Sequence, residues 1–397
     1  MSSRIMHVDL DAFFVEVCRQ RRPELREVDL LVVGGRRDSR GVVQSASYGA
    51  RRFGVRSGMP IARAVRLCPH ATFLQGTFAH YREASRKVRQ VLARHSPTVV
   101  MASLDEGYLD FNGTERLHPV SLLPVAERVR DDIRRETGLD CSIGIGTSRM
   151  LAKLASDFAK PRGLCEVREG WEQGFLAGLP LSALPGIGPR AAARLRELGL
   201  EEVAQVQRMT EHELARLIGP PARLLHRRAR GIGSASLRPD QPVRSVSRET
   251  TLSRDTTEIG ELEGLLVRFV GQVASDLRSR GLVARTVVLK LRHGDFRTVT
   301  RRRTLTVPTD LDRELLTPLR ELLPPAFAEA SIRQQGIRLI GVAATGLEHA
   351  TPLDLFEPES RTRLRALTRA VDVLRDRFGF DAVQPARTLD SRRETRP

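Results

Sequence analysis

The sequence predicts a multidomain α+β protein, on the strength of its length and of two kinds of segment. A chain of 397 residues is long enough for two or three domains, each with a core of its own. Strand and helix patterns alternate in residues 1–167 and again in residues 244–347, whereas residues 168–233 show only short helices. Before the last alternating stretch, residues 234–243 (SASLRPDQPV) have the composition of a linker.

The first domain is predicted to have a ferredoxin-like core. Its predicted strands are residues 4–10, 98–104, 108–111 and 141–146, and its predicted helices are residues 78–95, 119–137 and 149–159. An insertion at about residues 11–78 adds a helix at 12–21, strands at 29–35 and 41–47, and a helix at 60–68. Without the insertion the order of elements is β-α-β-β-α-β, which is the ferredoxin-like arrangement.

The charge of the chain predicts a polyanionic partner. The net charge is +17 and the pI is near 11.0, which favours nucleic acid over a membrane surface. Only four of the 65 basic residues are lysines, and codon usage in a GC-rich genome could account for part of this arginine bias. The four cysteines form no CxxC pair, so we expect neither a zinc site nor disulfides, and a reducing compartment. No long apolar run is present, and we expect a soluble, cytoplasmic protein.

Two motifs carry carboxylates at the ends of predicted strands. Asp9 lies in HVDLDAFF, and Asp105 and Glu106 lie at the turn in SLDEGYLD. If these strands are neighbours in one sheet, the carboxylates converge and need cations or protons to offset their repulsion. Hard cations such as Mg²⁺ take oxygen ligands, and two such ions can clamp a phosphoryl transfer. The alternative is that both motifs are turn and cap residues on a solvated face.

Together with three further segments, these motifs resemble the Y-family DNA polymerases in their bacterial DNA polymerase IV type. The further segments are SASYGARRFGVRSGMP at 45–60, SRMLAKLASDFAKPRG at 148–163 and LPGIGP at 184–189. The resemblance extends in order to about residue 347. It implies a right-hand polymerase with a ferredoxin-like palm (1–167) carrying small fingers (11–78), a helical thumb (168–233), a linker (234–243) and an α+β little finger (244–347), followed by a tail (348–397).

The resemblance also implies the residues of the active site. The implied metal ligands are Asp9, Asp105, Glu106 and the carbonyl of Leu10, of which Asp105 and Glu106 are the catalytic carboxylates, and the cofactor is two Mg²⁺ ions with Mn²⁺ as a substitute. The implied nucleotide-binding residues are Phe13, Phe14, Tyr48, Arg51 and Lys160, with Phe14 as the steric gate that packs under the sugar. Arginine forks and lysine point charges suit phosphate oxygens. Asp11 is interpreted as an acidic cap at a helix start, and Arg149 stands where the family usually has lysine.

Two surfaces are predicted to bind DNA. Gly186 and Gly188 lie in a helix–hairpin–helix signature, where glycines let backbone N–H groups approach a phosphate; a plain glycine helix stop is the alternative. Residues 278–303 hold nine basic residues and one acid. The DNA contacts predicted there are Arg292, Arg301, Arg302 and Arg303. A solvated strand edge is the alternative for this run.

The tail contains PLDLF at 352–356, which resembles the short peptide by which bacterial polymerases bind the sliding clamp. Leu353, Leu355 and Phe356 would be its anchors, although proline stands where the family prefers glutamine. The alternative is that these apolar residues anchor the amphipathic helix predicted at 360–378.

The sequence therefore predicts a monomeric, low-fidelity, translesion DNA polymerase that acts on primer–template DNA and dNTPs. No second acidic cluster suggests a proofreading exonuclease. One alternative is a non-catalytic DNA- and clamp-binding paralogue, against which the presence of all three carboxylates argues. Another is a different palm-fold enzyme such as a nucleotide cyclase, which would have no use for the thumb signature and the basic C-terminal domain.

Overall fold

The computed structural model describes residues 3–237, 242–331, 336–350 and 358–386. The chain divides into two compact units. The first consists of Met1–Arg37 and Val42–Pro239, and the second of Asp38–Gly41 and Asp240–Pro397. No helix in the described ranges is long and apolar enough to cross a membrane.

The first unit begins with fourteen elements in the region predicted as palm and fingers. In chain order they are β1 (Ile5–Leu10), α1 (Phe13–Arg21), β2 (Leu31–Val33), β3 (Ser45–Ala46), α2 (Tyr48–Arg52), α3 (Ile61–Leu67), β4 (Thr72–Leu74), α4 (Phe78–Leu92), β5 (Val99–Met101), β6 (Glu106–Asp110), α5 (Leu123–Thr137), β7 (Cys141–Gly146), α6 (Arg149–Ala159) and β8 (Leu164–Glu166).

The main sheet has the strand order β5-β6-β1-β7-β8. Its pairings are antiparallel except for β7 with β8, so the predicted ferredoxin-like core is confirmed and β8 is an added edge strand. All six residues of β1 are buried, because it is the central strand and both its faces are covered. The inserted segment forms a separate small sheet of order β3-β2-β4.

The rest of the first unit is helical, as predicted. It contains α7 (Glu172–Ala177), α8 (Pro189–Glu197), α9 (Val203–Gln207), α10 (Glu211–Ile218) and α11 (Ala222–Ala229). The first residues of the predicted linker (234–243) pack against the first unit. Leu237 is buried with Ile5, Tyr108 and Ala152, and the Arg149 amide donates a hydrogen bond of 3.0 Å to the Ser234 carbonyl. The linker therefore begins later than residue 234, because its first residues pack on the main sheet.

The second unit is a sheet covered by helices. Its elements are β9 (Ser245–Thr256), α12 (Ile259–Ser279), β10 (Leu282–His293), β11 (Thr298–Thr309), α13 (Asp312–Ser331), β12 (Ile337–His349) and α14 (Glu359–Phe378). The strands are antiparallel in the order β11-β10-β12-β9, and α12 and α13 share a core with them. The predicted tail helix, α14, is tied to this unit by ion pairs, including Arg278 Nε–Asp372 Oδ2 at 2.6 Å.

Candidate active site

The register of the main sheet brings the three predicted carboxylates to one end of it. Asp9 on β1 is paired with Glu106, the first residue of β6, and the Leu10 amide donates a 2.9 Å hydrogen bond to the Asp105 carbonyl. Asp9, Asp105 and Glu106 line one cavity of about 500 Å³ together with Leu10. The predicted convergence follows directly from two neighbouring strands that each end in an acidic residue.

Two lysines of α6 and the loop after it reach these carboxylates. Lys160 Nζ lies 2.7 Å from Asp9 Oδ2 and 2.7 Å from Asp157 Oδ1, and Lys153 Nζ lies 2.5 Å from Glu106 Oε1. The residues with described coordinates include no group of three acidic, histidine or cysteine side chains placed to hold a metal ion. The role of Lys153 was not predicted, although it is one of only four lysines and lies in a segment that resembles the polymerase family.

The carboxylates differ in their electrostatic surroundings. Asp9 is 5% exposed, and burial raises the pKa of its carboxyl to about 7 against the opposing effect of the Lys160 ammonium. The His7 imidazole and the Lys153 ammonium instead hold the pKa of Glu106 well below its usual range. A desolvated Asp9 beside an ionised Glu106 favours a bound cation, and all the donors are hard oxygens. By donor chemistry Asp9, Asp105 and Glu106 would suit a hard divalent cation such as Mg²⁺, while in the arrangement described Asp9 and Glu106 pair with Lys160 and Lys153.

His7 supports Glu106 from inside the sheet and was missed from the sequence. It is fully buried, and burial lowers its pKa. Its Nδ1 lies 2.7 Å from Ser156 Oγ and its Nε2 lies 3.8 Å from Glu106 Oε2. The ring also contacts Tyr108 at a centroid distance of 4.5 Å. The one feature of the sequence that could have indicated His7 is its position two residues before Asp9 in the same strand, which places both side chains on one face.

The two phenylalanines at the start of α1 have different surroundings. Phe13 is 2% exposed and belongs to the core, although it also reaches the cavity wall. Phe14 is half-buried, lines the same cavity, and stacks on Tyr81 with a centroid distance of 4.1 Å and an interplanar angle of 20°. Tyr81, which was not predicted to be part of the site, is fully buried and gives Phe14 a rigid backing.

The residues predicted to bind the triphosphate line the same cavity. Tyr48 and Arg51 lie on α2, which begins after Ser47, and the Ser47 Oγ accepts the Ala50 amide at 3.3 Å. The Arg51 guanidinium lies 4.8 Å from the centre of the Tyr48 ring. Lys160 completes this set. The three side chains predicted to bind phosphate and the three carboxylates thus share one cavity.

The interpretation of Asp11 as a helix cap is wrong. The residue before α1 is Ala12, in a left-handed conformation with φ 46°, and no side chain caps the helix. Asp11 is 4% exposed and accepts hydrogen bonds from Tyr48, Ser142 and the Arg162 amide. Its role is structural, as predicted, but through tertiary hydrogen bonds rather than through a cap.

The thumb glycines lie between a single 3₁₀ turn, Leu181–Ala183, and the helix α8, so both the DNA-binding role and the helix-stop alternative stay predictions. Gly188 immediately precedes α8, which begins at Pro189, and an added Cβ there would meet no atom within 4 Å. Gly186 has φ +87°, and a Cβ there would lie 2.6 Å from Arg228 Nη1. Arg228 donates a 2.5 Å hydrogen bond to the Pro185 carbonyl, which holds the turn that leads into α8.

The predicted arginine run of the second unit is divided between two faces of its sheet. Arg302 is paired with Val288 on the face away from the helices, where Lys290 and Arg292 also lie. Arg301 and Arg303 are paired with the buried Leu289 and Val287, and Arg303 reaches Glu321 of α13 at 3.6 Å. Consecutive strand residues alternate between faces, so Arg302 lies on one face of the sheet and Arg301 and Arg303 on the other, and their contact with DNA stays a prediction.

The predicted clamp-binding residues Leu353, Leu355 and Phe356 lie outside the described residues.

Comparisons with known proteins agree with this architecture. Residues 8–157 match the impB/mucB/samB family model, and residues 243–355 match the model of that family's C-terminal domain. A DNA polymerase IV of Caulobacter vibrioides is 39% identical over 390 residues, which are 98% of this chain and 94% of the relative. A DNA polymerase IV of Dehalococcoides mccartyi is 38% identical over 388 residues, 97% of each chain.

Solved structures show the same fold. A Y-family DNA polymerase chimera of Dbh and Dpo4 superposes with a TM-score of 0.75 at 24% identity, covering 86% of this chain and 98% of the chimera. Dbh DNA polymerase in an insertion ternary complex gives a TM-score of 0.57 at 24% identity, covering 88% of this chain and all of that one. The chain therefore belongs to the impB/mucB/samB family, as a Y-family DNA polymerase of the DNA polymerase IV type.

Proposed function

We propose that this chain, a DNA-directed DNA polymerase by family, joins dNTPs to a primer 3′-OH with two divalent metal ions, Mg²⁺ or Mn²⁺ in its place. The observation that carries this proposal is the shared cavity, which Asp9, Asp105 and Glu106 line together with Tyr48, Arg51 and Lys160. In the reaction a bond forms between the primer 3′-oxygen and the α-phosphorus, and the α–β bridging bond breaks to release pyrophosphate. The ions, when bound, would stabilise charge on the attacking and leaving oxygens.

Each proposed contact follows from the chemistry of its side chain. Asp9, Asp105 and Glu106 would hold the ions, with the Leu10 carbonyl as a further ligand. Arg51 offers a planar fork to the triphosphate and Lys160 a point charge. Lys160 already has a second partner in Asp157, so it can turn from Asp9 to a phosphate without losing all its charge pairing.

We further propose the domain roles and a low fidelity. Residues 1–167 would be the palm, with fingers at about 11–78, 168–233 the thumb, 244–347 the little finger and 348–397 a tail. Membership of the family that includes relatives named DNA polymerase IV supports error-prone synthesis that bypasses damaged template.

Primer extension by the purified protein with Mg²⁺ and four dNTPs tests this function. We expect extension of an undamaged primer, extension past a template lesion, and no shortening of the primer in the absence of dNTPs. Tight DNA binding without any extension in either metal would instead favour the non-catalytic paralogue.

We propose that the face of the second unit's sheet that points away from its helices binds duplex DNA. Replacing Lys290, Arg292 and Arg302 together by glutamine should weaken primer–template binding and lower the slope of log affinity against log salt by about 0.9 per lost phosphate contact. The matched control is Arg301→Gln with Arg303→Gln, two cations of the same strand on the opposite face. Fluorescence anisotropy at several salt concentrations measures both. Equal losses in the two variants would show that the face does not matter.

We also propose that Leu353, Leu355 and Phe356 bind the sliding clamp. Leu355→Ala with Phe356→Ala should abolish stimulation of synthesis by the clamp and leave unstimulated synthesis at the wild-type rate, because such peptides rely on a few buried apolar anchors. Primer extension with and without added clamp checks this. Undiminished stimulation of the double variant would assign clamp binding to another surface.

A further inference from the structure

The Asp11 carboxylate is a buried meeting point of three chain segments. Its Oδ1 accepts the Tyr48 hydroxyl at 2.7 Å, and its Oδ2 accepts the Arg162 amide at 2.8 Å. The Ser142 hydroxyl lies 3.1 Å from Oδ1 and 3.0 Å from Oδ2. All three partners donate, so both carboxylate oxygens are engaged from different directions.

The segments that meet at Asp11 carry residues of the proposed active site or pair with one. Tyr48 is itself a proposed triphosphate contact, and its ring lies against the Arg51 guanidinium. Arg162 follows Lys160 by two residues. Asp11 follows Asp9 by two residues, and Ser142 is the β7 partner of Asp9 in the sheet register. One carboxylate therefore joins the fingers helix α2, the loop after α6 and the central strand of the main sheet.

The backbone at Arg162 needs this support. Its φ is 57°, in the left-handed region that non-glycine residues seldom adopt. The hydrogen bond from its amide to Asp11 stabilises that conformation, which sets the course of the chain just after Lys160. Burial and Asp11 also raise the pKa of the Tyr48 hydroxyl, so Tyr48 stays protonated and keeps its bond to the carboxylate.

We propose that Asp11 is a positioning residue for the incoming nucleotide: it fixes Tyr48 and the Lys160 loop relative to each other and thereby sets the affinity for the triphosphate. Asp11 does not touch substrate in this role. Its effect is preorganisation, since groups that are already held in place lose less freedom when the ligand binds. The proposal rests on the proposed function, because it takes Tyr48, Arg51 and Lys160 as the triphosphate contacts.

Asp11→Asn is the variant that tests this role. Asparagine has the same shape but no charge, and one of its two oxygens becomes an NH₂ group that cannot accept. Facing the Arg162 amide, that group breaks the hydrogen bond; facing Tyr48, it can only donate to the hydroxyl, and the charged acceptor is lost in both cases. We expect the KM for dNTP to rise about tenfold, because that is the effect of losing one hydrogen bond to a charged group. The kcat should change little. The half-saturating Mg²⁺ concentration should stay at the wild-type value, which distinguishes a positioning residue from a metal ligand.

Asp140→Asn is the matched control. Asp140 also lies beside β7, but its carboxylate pairs with Arg134 at 2.6 Å, and only its backbone carbonyl contacts Asp11, at the Asp11 amide. The control should keep the wild-type KM for dNTP. A rise in KM equal to that of Asp11→Asn would overturn the proposal, since any loss of charge near β7 would then suffice.

A double-mutant cycle with Tyr48→Phe shows whether Asp11 acts through Tyr48. If it does, Asp11→Asn should raise the KM by a much smaller factor in the Tyr48→Phe background than in wild type. The same factor in both backgrounds would contradict the proposal. Should Asp11→Asn fail to fold, Ser142→Ala serves instead, with an expected rise in KM of about threefold from one weakened neutral hydrogen bond. An unchanged KM would then overturn the proposal.

The wild-type protein separates this inference from the proposed function. Absence of primer extension by wild type would refute the function itself. Normal extension by wild type with an unchanged KM in Asp11→Asn would refute only the positioning role.

Discussion

Asp105→Ala and Glu106→Ala are each expected to lower primer extension by at least about a thousandfold, because several kcal/mol of charge stabilisation are lost and about 1.4 kcal/mol corresponds to a factor of ten. Both residues line the cavity next to Asp9. Loss of either carboxylate removes a proposed ligand at the reacting phosphate. Binding of primer–template should stay near the wild-type affinity, since the proposed DNA contacts lie on the thumb and on the second unit.

The measurement is single-turnover extension with Mg²⁺, alongside anisotropy with labelled primer–template. Asp105→Asn and Glu106→Gln repeat the test with side chains of nearly the same size. In Glu106→Gln, Lys153 then faces a neutral amide instead of a carboxylate. Asp110→Ala is the control. Asp110 ends the same strand as Glu106 but lies outside the cavity, so this variant should extend primers normally. Substantial synthesis by Asp105→Ala or Glu106→Ala would remove that residue from the catalytic role.

The sequence predicted the main sheet well because its strands obey local rules. The predicted bounds of β7 and α6 agree with the structure, residues 141–146 and 149–159. The helix begins after Ser148, whose Oγ accepts the Leu151 amide at 3.3 Å, a cap that the sequence alone displays. The strands of the insertion were predicted too long, at 29–35 and 41–47, whereas β2 and β3 span three and two residues. Such short pairings depend on tertiary contacts, and the hydrophobic periodicity of the sequence does not reveal their ends.

The part of the candidate site that could be predicted from the sequence is the set of residues at strand ends. Two acidic motifs on neighbouring strands had to meet, whatever the loops did. The partners of Asp11 could not be predicted, because they lie 37, 131 and 151 residues away along the chain. A local rule, acid before a helix, suggested a cap there, and the three tertiary donors took its place.

The ion pairs within the cavity could not be predicted for the same reason. Lys153 meets Glu106 across 47 residues of chain, and nothing in either motif specifies the pairing. The arginine run shows the opposite case. Strand alternation alone places Arg302 on the opposite face from Arg301 and Arg303, and the pairing of β10 with β11 agrees with it.

We propose that Phe14 selects deoxyribose over ribose in the incoming nucleotide. Substitution of Phe14 and of its neighbour Phe13 should therefore have different effects. Phe14 is half-buried on the cavity wall, whereas Phe13 is 2% exposed in the core. A ribonucleotide adds one 2′-hydroxyl, which the Phe14 ring would meet without offering a hydrogen-bond partner. Steric overlap and desolvation therefore both oppose it. The stacked Tyr81, 4.1 Å away, keeps the Phe14 ring from moving aside.

Phe14→Ala should therefore stay folded, keep dNTP incorporation, and gain ribonucleotide incorporation by about two orders of magnitude or more, as expected when a built-in clash is removed. Phe13→Ala should mainly lower the melting temperature, because truncation of a buried phenylalanine costs about 3–5 kcal/mol. The measurements are kcat/KM for a dNTP and the matching ribonucleotide, and thermal unfolding of both variants. If Phe14→Ala rejected ribonucleotides as strongly as wild type, the ring would be part of the core, and the sugar would be selected elsewhere in the cavity.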